Sequence, residues 1–126
     1  MARKARLRSG EVEVGILLLD TPTARALWEA LPFSSTACRW GKEVYFRTPL
    51  ALEEEPTARE VVDVGEVGYW PPGQALCLFF GPTPISRGQE IRAASPVNIV
   101  GQVEGEVALL ERIREGDPVA VERWEE

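Results

Sequence analysis

Between Gly65 and Pro84 the chain carries two apolar runs, Val67 to Trp70 and Ala75 to Phe80, joined by Pro71-Pro72-Gly73-Gln74. Two successive prolines cannot continue a hydrogen-bonded ladder, and the glycine supplies the permissive backbone of a reversal. The segment therefore predicts a β-hairpin. Its second strand is apolar at six positions in succession. A strand apolar on both faces must be covered on both, so the rest of the chain has to wrap around it.

The same alternation predicts the other elements. Ala2 to Arg8 and Glu11 to Leu19 read as two strands around a Ser9-Gly10 reversal, with Val12, Val14 and Ile16 on one face. Asp20-Thr21-Pro22 starts a helix, because Asp20 or Thr21 can accept from free N–H groups and Pro22 needs no donor in the first turn. Ala24, Leu27, Trp28 and Leu31 form its apolar stripe, and Pro32 ends it. Phe33 to Trp40 and Glu43 to Thr48 are strands around Trp40-Gly41-Lys42, with Val44 and Phe46 facing away from Tyr45 and Arg47. Pro49 to Ala58 is a solvated loop containing Glu53-Glu54-Glu55, and Glu60 to Val64 is a short strand.

After the hairpin, Gly81 to Pro96 is a long connection, a length often associated with binding. Val97 to Val103 is a strand, and Gly105 leads into a second helix with Leu109, Leu110 and Ile113 as its stripe. Gly116 and Asp117-Pro118 turn the chain into a last strand, Val119 to Trp124. The tally is about eight strands and two helices in a mainly β domain spanning residues 1–126. A closed antiparallel barrel fits, since closure removes exposed edges.

Composition narrows the function classes. Hydrophobic residues make up 44% and charged residues 27%, as in a globular protein. A net charge of -6 argues against nucleic acid, whose binding depends on Lys and Arg neutralising phosphates. No stretch approaches the ~20 apolar residues of a membrane-spanning helix, and no signal-peptide core is present, so a cytoplasmic location is expected. Cys38 and Cys77 have no framework spacing and do not imply a disulfide. Abundant Glu, Arg and Pro with one Asn and one Met suggest a thermophilic source.

Several separate motifs resemble a family of small cyclophilin-like barrels from bacteria and archaea, a family of unassigned function. They are Asp20-Thr21-Pro22-Thr23-Ala24, Leu27-Trp28-Glu29-Ala30-Leu31-Pro32, Trp40-Gly41 and Gly68-Tyr69-Trp70-Pro71-Pro72-Gly73. They continue with Ala75-Leu76-Cys77, Phe79-Phe80-Gly81-Pro82-Thr83-Pro84, Ser86-Arg87-Gly88 and Ala94-Ser95-Pro96-Val97-Asn98. The resemblance implies an eight-stranded closed antiparallel barrel with two helices. The likeness to the peptidyl-prolyl isomerases of the wider family is weaker. Tyr45-Phe46-Arg47 puts an arginine near the place of their catalytic one, without the histidine that precedes it there. Their pocket tryptophan falls near Arg92 and their pocket histidine near Val97.

The chain has no histidine, which removes Ser-His-Asp and Cys-His catalysis and histidine metal sites. No cofactor or metal is implied. Cys77, inside an apolar strand, reads as a buried small hydrophobe. The expected function is a module that binds a small molecule or peptide, with Phe46, Trp70, Phe80, Arg87 and Arg92 as candidate ligand-binding residues. One alternative is a divergent prolyl isomerase with Arg47 as the catalytic donor to the prolyl nitrogen. Another is a structural homodimer.

Overall fold

The computed structural model describes residues 3–124; the expected start of the first strand at Ala2 lies outside them. The elements run β1 (Arg3–Ser9), β2 (Val12–Leu18), α1 (Pro22–Ala30), β3 (Phe33–Thr36), β4 (Cys38–Arg39), β5 (Glu43–Arg47), β6 (Arg59–Val62), β7 (Glu66–Trp70), β8 (Ala75–Phe79), β9 (Ile91–Glu104) and β10 (Pro118–Arg123). Two short 3-10 segments, Pro71–Gly73 and Val107–Arg112, complete them.

The strands form one antiparallel sheet in the order β3-β10-β1-β2-β9-β7-β8-β5-β4, with β6 paired to β9 off this path. Its two ends, β3 and β4, are neighbours in the chain on either side of Ala37. Ala37 still bonds toward β10, accepting from Gly116 N and donating to Asp117 O, both at 2.8 Å. Cys38 then pairs with Tyr45 of β5. The chain thus passes from one edge of the sheet to the other at this residue. Hydrogen bonds do not close the ring, so the expected eight-stranded closed barrel is corrected to a ten-strand sheet whose two edges are joined by the chain. The expected single strand from Phe33 to Trp40 is divided for the same reason.

The main core lies inside this curved sheet, where Leu7, Ile16, Val44, Phe46, Val67, Tyr69, Leu76, Leu78 and Val121 are fully buried. Helix α1 covers part of it with Ala24, Leu27 and Leu31. Thr21 caps α1 by accepting from Ala24 N at 3.1 Å, with Pro22 in the first turn. The second expected helix is a 3-10 segment. Val107, Leu110 and Ile113 recur every three residues, the 3-10 period, and Leu110 and Ile113 are fully buried.

A second apolar cluster sits on the outer face, built from Val62, Cys77, Phe79, Ile91, Ala93 and Val97. This accounts for the doubly apolar strand β8. Leu76 and Leu78 point into the main core, while Cys77 and Phe79 point outward under the cover of β6 and the first half of β9. Strand β9 is 14 residues long and contains Pro96, so the expected connection from Gly81 to Pro96 ends before Ile91. Proline is tolerated there because the β6–β9 register jumps from Arg59↔Val97 to Val61↔Arg92, leaving Ala93 to Pro96 in a bulge free of ladder demands. The first hairpin turns on Gly10-Glu11, one residue later than expected. Ser9 pairs with Val12, and Gly10 has φ of 59°, as a two-residue turn with glycine leading requires.

Candidate functional site

A pocket of about 290 Å³ opens on the outer face, lined by Trp40, Glu43, Tyr45, Trp70 and Ala94. Each wall is set by local structure. Glu43 and Tyr45 alternate with Val44 and Phe46 along β5, so they share the outward face. Glu43 lies opposite Phe79, and Tyr45 lies opposite Cys77. The β4–β5 turn is held by Trp40 N donating to Glu43 O at 3.0 Å. Gly41, at φ of 62°, lets this turn press on the Pro82–Pro84 backbone, and Lys42 N donates to Pro82 O at 3.0 Å. Glu43 is thereby fixed from both sides.

Trp70 forms the opposite wall. Its Nε1 donates to Ser95 Oγ at 2.6 Å. Its ring packs against Gly73, where a Cβ would come within 2.5 Å of the ring. The glycine of the Pro-Pro-Gly turn therefore has a second use beyond the reversal: it leaves room for the indole.

Glu43 is only 5% exposed, and its Oε1 is shielded from solvent with no hydrogen-bond partner among the described residues. Burial pushes its pKa from 4.5 up to about 7, with the neighbouring Cys77 thiol acting in the other direction. Cys77 is fully enclosed, and burial followed by the neighbouring Glu43 charge holds its thiol well above the usual range. Tyr45 is raised by burial and then by Cys38, Glu115 and Glu43. The side chains acting on this cluster are acidic or neutral. The nearby bases are engaged elsewhere: Arg39 at 2.8 Å and Lys42 both pair with Glu111. Chemically, such a site can donate from a protonated carboxyl or accept from and pair with a cation as a carboxylate.

Comparison with known proteins agrees with this architecture. The family model described as Cyclophilin-like matches residues 3–122. The chain belongs to the cyclophilin-like family. The solution structure of a hypothetical protein from Archaeoglobus fulgidus is 42% identical, with a TM-score of 0.82 over 98% of this chain and 95% of that one. Among curated proteins nothing matches.

Within this cyclophilin-like chain, the residues singled out by sequence separate in space. Trp70 lines the pocket. Phe46 is fully buried in the main core, on the opposite face of β5. Phe80 packs at the edge of that core beneath Arg39 and Lys42, whose cations lie 5.1 and 5.8 Å from its ring centre. Arg47 is exposed and donates to Gln74 Oε1 at 2.8 Å, rather than facing the Glu53–Glu55 loop. Arg92 is tied to Glu90 at 2.7 Å and Glu60 at 3.2 Å, which pins the loop before β9. Arg87 is exposed, and its backbone N–H donates to Glu90. Beside it, Ser86 Oγ accepts from Thr83 N at 2.9 Å and Arg92 N at 3.1 Å, so the serine of Ser-Arg-Gly organises the loop.

Sequence reasoning missed Glu43, Trp40 and Tyr45. Alternation already placed Glu43 and Tyr45 on one face, but a charged first residue of a strand reads as solvated. Only the register with β8, which sets Phe79 and Cys77 beside it, reveals the burial.

Proposed function

We propose that this cyclophilin-like chain is a binding module for a small organic molecule, seated in the outer-face pocket between Trp40, Tyr45 and Trp70. The observation that carries this reading is the Glu43 carboxyl. A buried, unpartnered carboxyl oxygen costs stability, and a cost of that kind concentrated at an aromatic-walled pocket is the signature of a site awaiting a polar group. Of the residues expected from sequence, Trp70 belongs to this site. The arrangement supports binding rather than nucleophilic chemistry, since Cys77 is enclosed and held protonated.

The test is a fragment screen read by proton–nitrogen correlation spectra of the wild type and of Ala94→Trp, which fills the pocket from its exposed rim. Binding is expected to move the indole signals of Trp40 and Trp70 and the backbone signals of Glu43 and Tyr45. These shifts should vanish in the filled variant. Shifts confined to another surface, or persisting in the filled variant, would overturn the assignment.

A further inference from the structure

Resting on that reading of the pocket, we propose that the group it receives is an alkylated ammonium ion. The walls are the tryptophans Trp40 and Trp70 and the tyrosine Tyr45, the side chains whose ring faces attract cations most strongly. The polar group at the wall is a carboxyl, and a carboxyl rotates about a soft terminal torsion, so Glu43 can turn an oxygen toward an occupant. Among the described residues no cation satisfies it. On β5 its neighbour on the same face is Tyr45, on β8 it lies opposite Phe79 with Cys77 diagonal to it, and Cys38 and the acid Glu115 lie beyond Tyr45. The basic groups on adjoining segments are committed, Arg39 and Lys42 to Glu111 and Arg92 to Glu90 and Glu60, while Arg47, further along the same face of β5, is bonded to Gln74 Oε1 and does not line the pocket. An anionic ligand would find a carboxylate and no base among the residues lining the pocket. A neutral ligand would leave the ionised carboxyl unpaired. An ammonium carrying methyl groups fills the apolar wall and supplies the missing charge. The net charge of -6 favours its approach over long range.

Such a headgroup exists both in free quaternary amines and on methylated lysine side chains. The probes are therefore choline, its uncharged isostere with carbon in place of nitrogen, and a short peptide carrying trimethyllysine, each titrated against the full chain by tryptophan fluorescence. Choline or the peptide should give a saturable change, about tenfold tighter than the isostere. The preference should strengthen as pH rises from about 6 to about 8, when Glu43 ionises. Glu43→Gln, with an unchanged circular dichroism spectrum, should erase the preference for charge. Tighter binding of the peptide than of choline assigns the headgroup to a protein side chain, and the reverse assigns it to a free amine. Equal or tighter binding of the isostere, or no saturable change with either cation, overturns the ammonium proposal. The pocket assignment itself falls only if the fragment shifts miss the pocket or survive Ala94→Trp.

Discussion

Glu43 and Cys77 are diagonal neighbours on the outer face of the β5–β8 ladder, where Glu43 pairs with Phe79 and Tyr45 with Cys77. Burial raises the pKa of both groups, and the thiol does not cancel that effect on the carboxyl. Glu43 accordingly titrates at about 7 rather than at 4.5.

The first consequence is a dependence of stability on pH. Between pH 4.5 and about 7 the folded chain holds a proton on Glu43 that the unfolded chain has released. The stabilising contribution is thus complete below the lower value and is lost as pH rises through the higher one, by on the order of 3 kcal/mol. Urea denaturation across this range should show Glu43→Gln gaining on the wild type as pH rises. A constant difference between the two proteins would show that Glu43 titrates normally.

The cysteines should differ in reactivity. Cys77 is fully enclosed with a thiol pKa held well above its ordinary value. Cys38 is half-buried and raised more modestly, first by burial and then by Glu115. A chromogenic disulfide reagent should therefore modify one thiol per folded chain, slowly, and the second only upon unfolding. Mass spectrometry of the modified peptide identifies which; early modification of Cys77 would contradict the enclosed pair.

Asn98 should be a large contributor to stability. It is 1% exposed. Its Nδ2 donates to Thr23 Oγ1 at 3.1 Å and Glu53 O at 3.0 Å, and its Oδ1 accepts from Glu55 N at 2.8 Å. The Glu55 carboxylate in turn accepts from Thr23 N at 3.0 Å at the start of α1. One side chain of β9 therefore ties the acidic loop to the helix. Asn98→Ala leaves several buried groups unpaired and should cost about 3 kcal/mol in chemical denaturation, whereas Glu54→Ala on the exposed side of the same loop should change stability by less than about 0.5 kcal/mol.

Arg47 should be dispensable. It is exposed, bonded to Gln74, and not among the residues that line the aromatic pocket. Arg47→Ala should leave stability within about 0.5 kcal/mol of the wild type and leave fragment binding unchanged. Isomerisation of a proline peptide should be no faster with the wild type than with the variant. Acceleration that depends on Arg47 would instead assign it the prolyl-nitrogen role.

The sequence carried the order of elements well, because the apolar alternation and the turn residues act locally. Thr21-Pro22, Gly10 and Pro71-Pro72-Gly73 all fall at turns or caps. What it concealed is non-local. Whether Phe33 to Trp40 is one strand or two depends on the change of partner at Ala37, and nothing near Ala37 in the sequence signals it. The proline of Ala94-Ser95-Pro96 suggested a loop, yet a bulge opposite β6 absorbs it. The same applies to the site. Trp70 was legible from its place beside the turn. Glu43 looks like a solvated strand residue until β8 is laid beside it, and the acidic loop looks solvated until Glu55 is seen capping a helix more than thirty residues away.

The most direct measurement is the titration of the Glu43 side-chain carboxyl itself, followed by carbon-detected magnetic resonance with Glu43→Gln to assign the signal. The account predicts a midpoint near 7 in the free protein and a fall in that midpoint when an ammonium ligand is bound. A midpoint near 4.5 would mean that the carboxyl is solvated. The pocket would then lack the polar group on which both proposals depend.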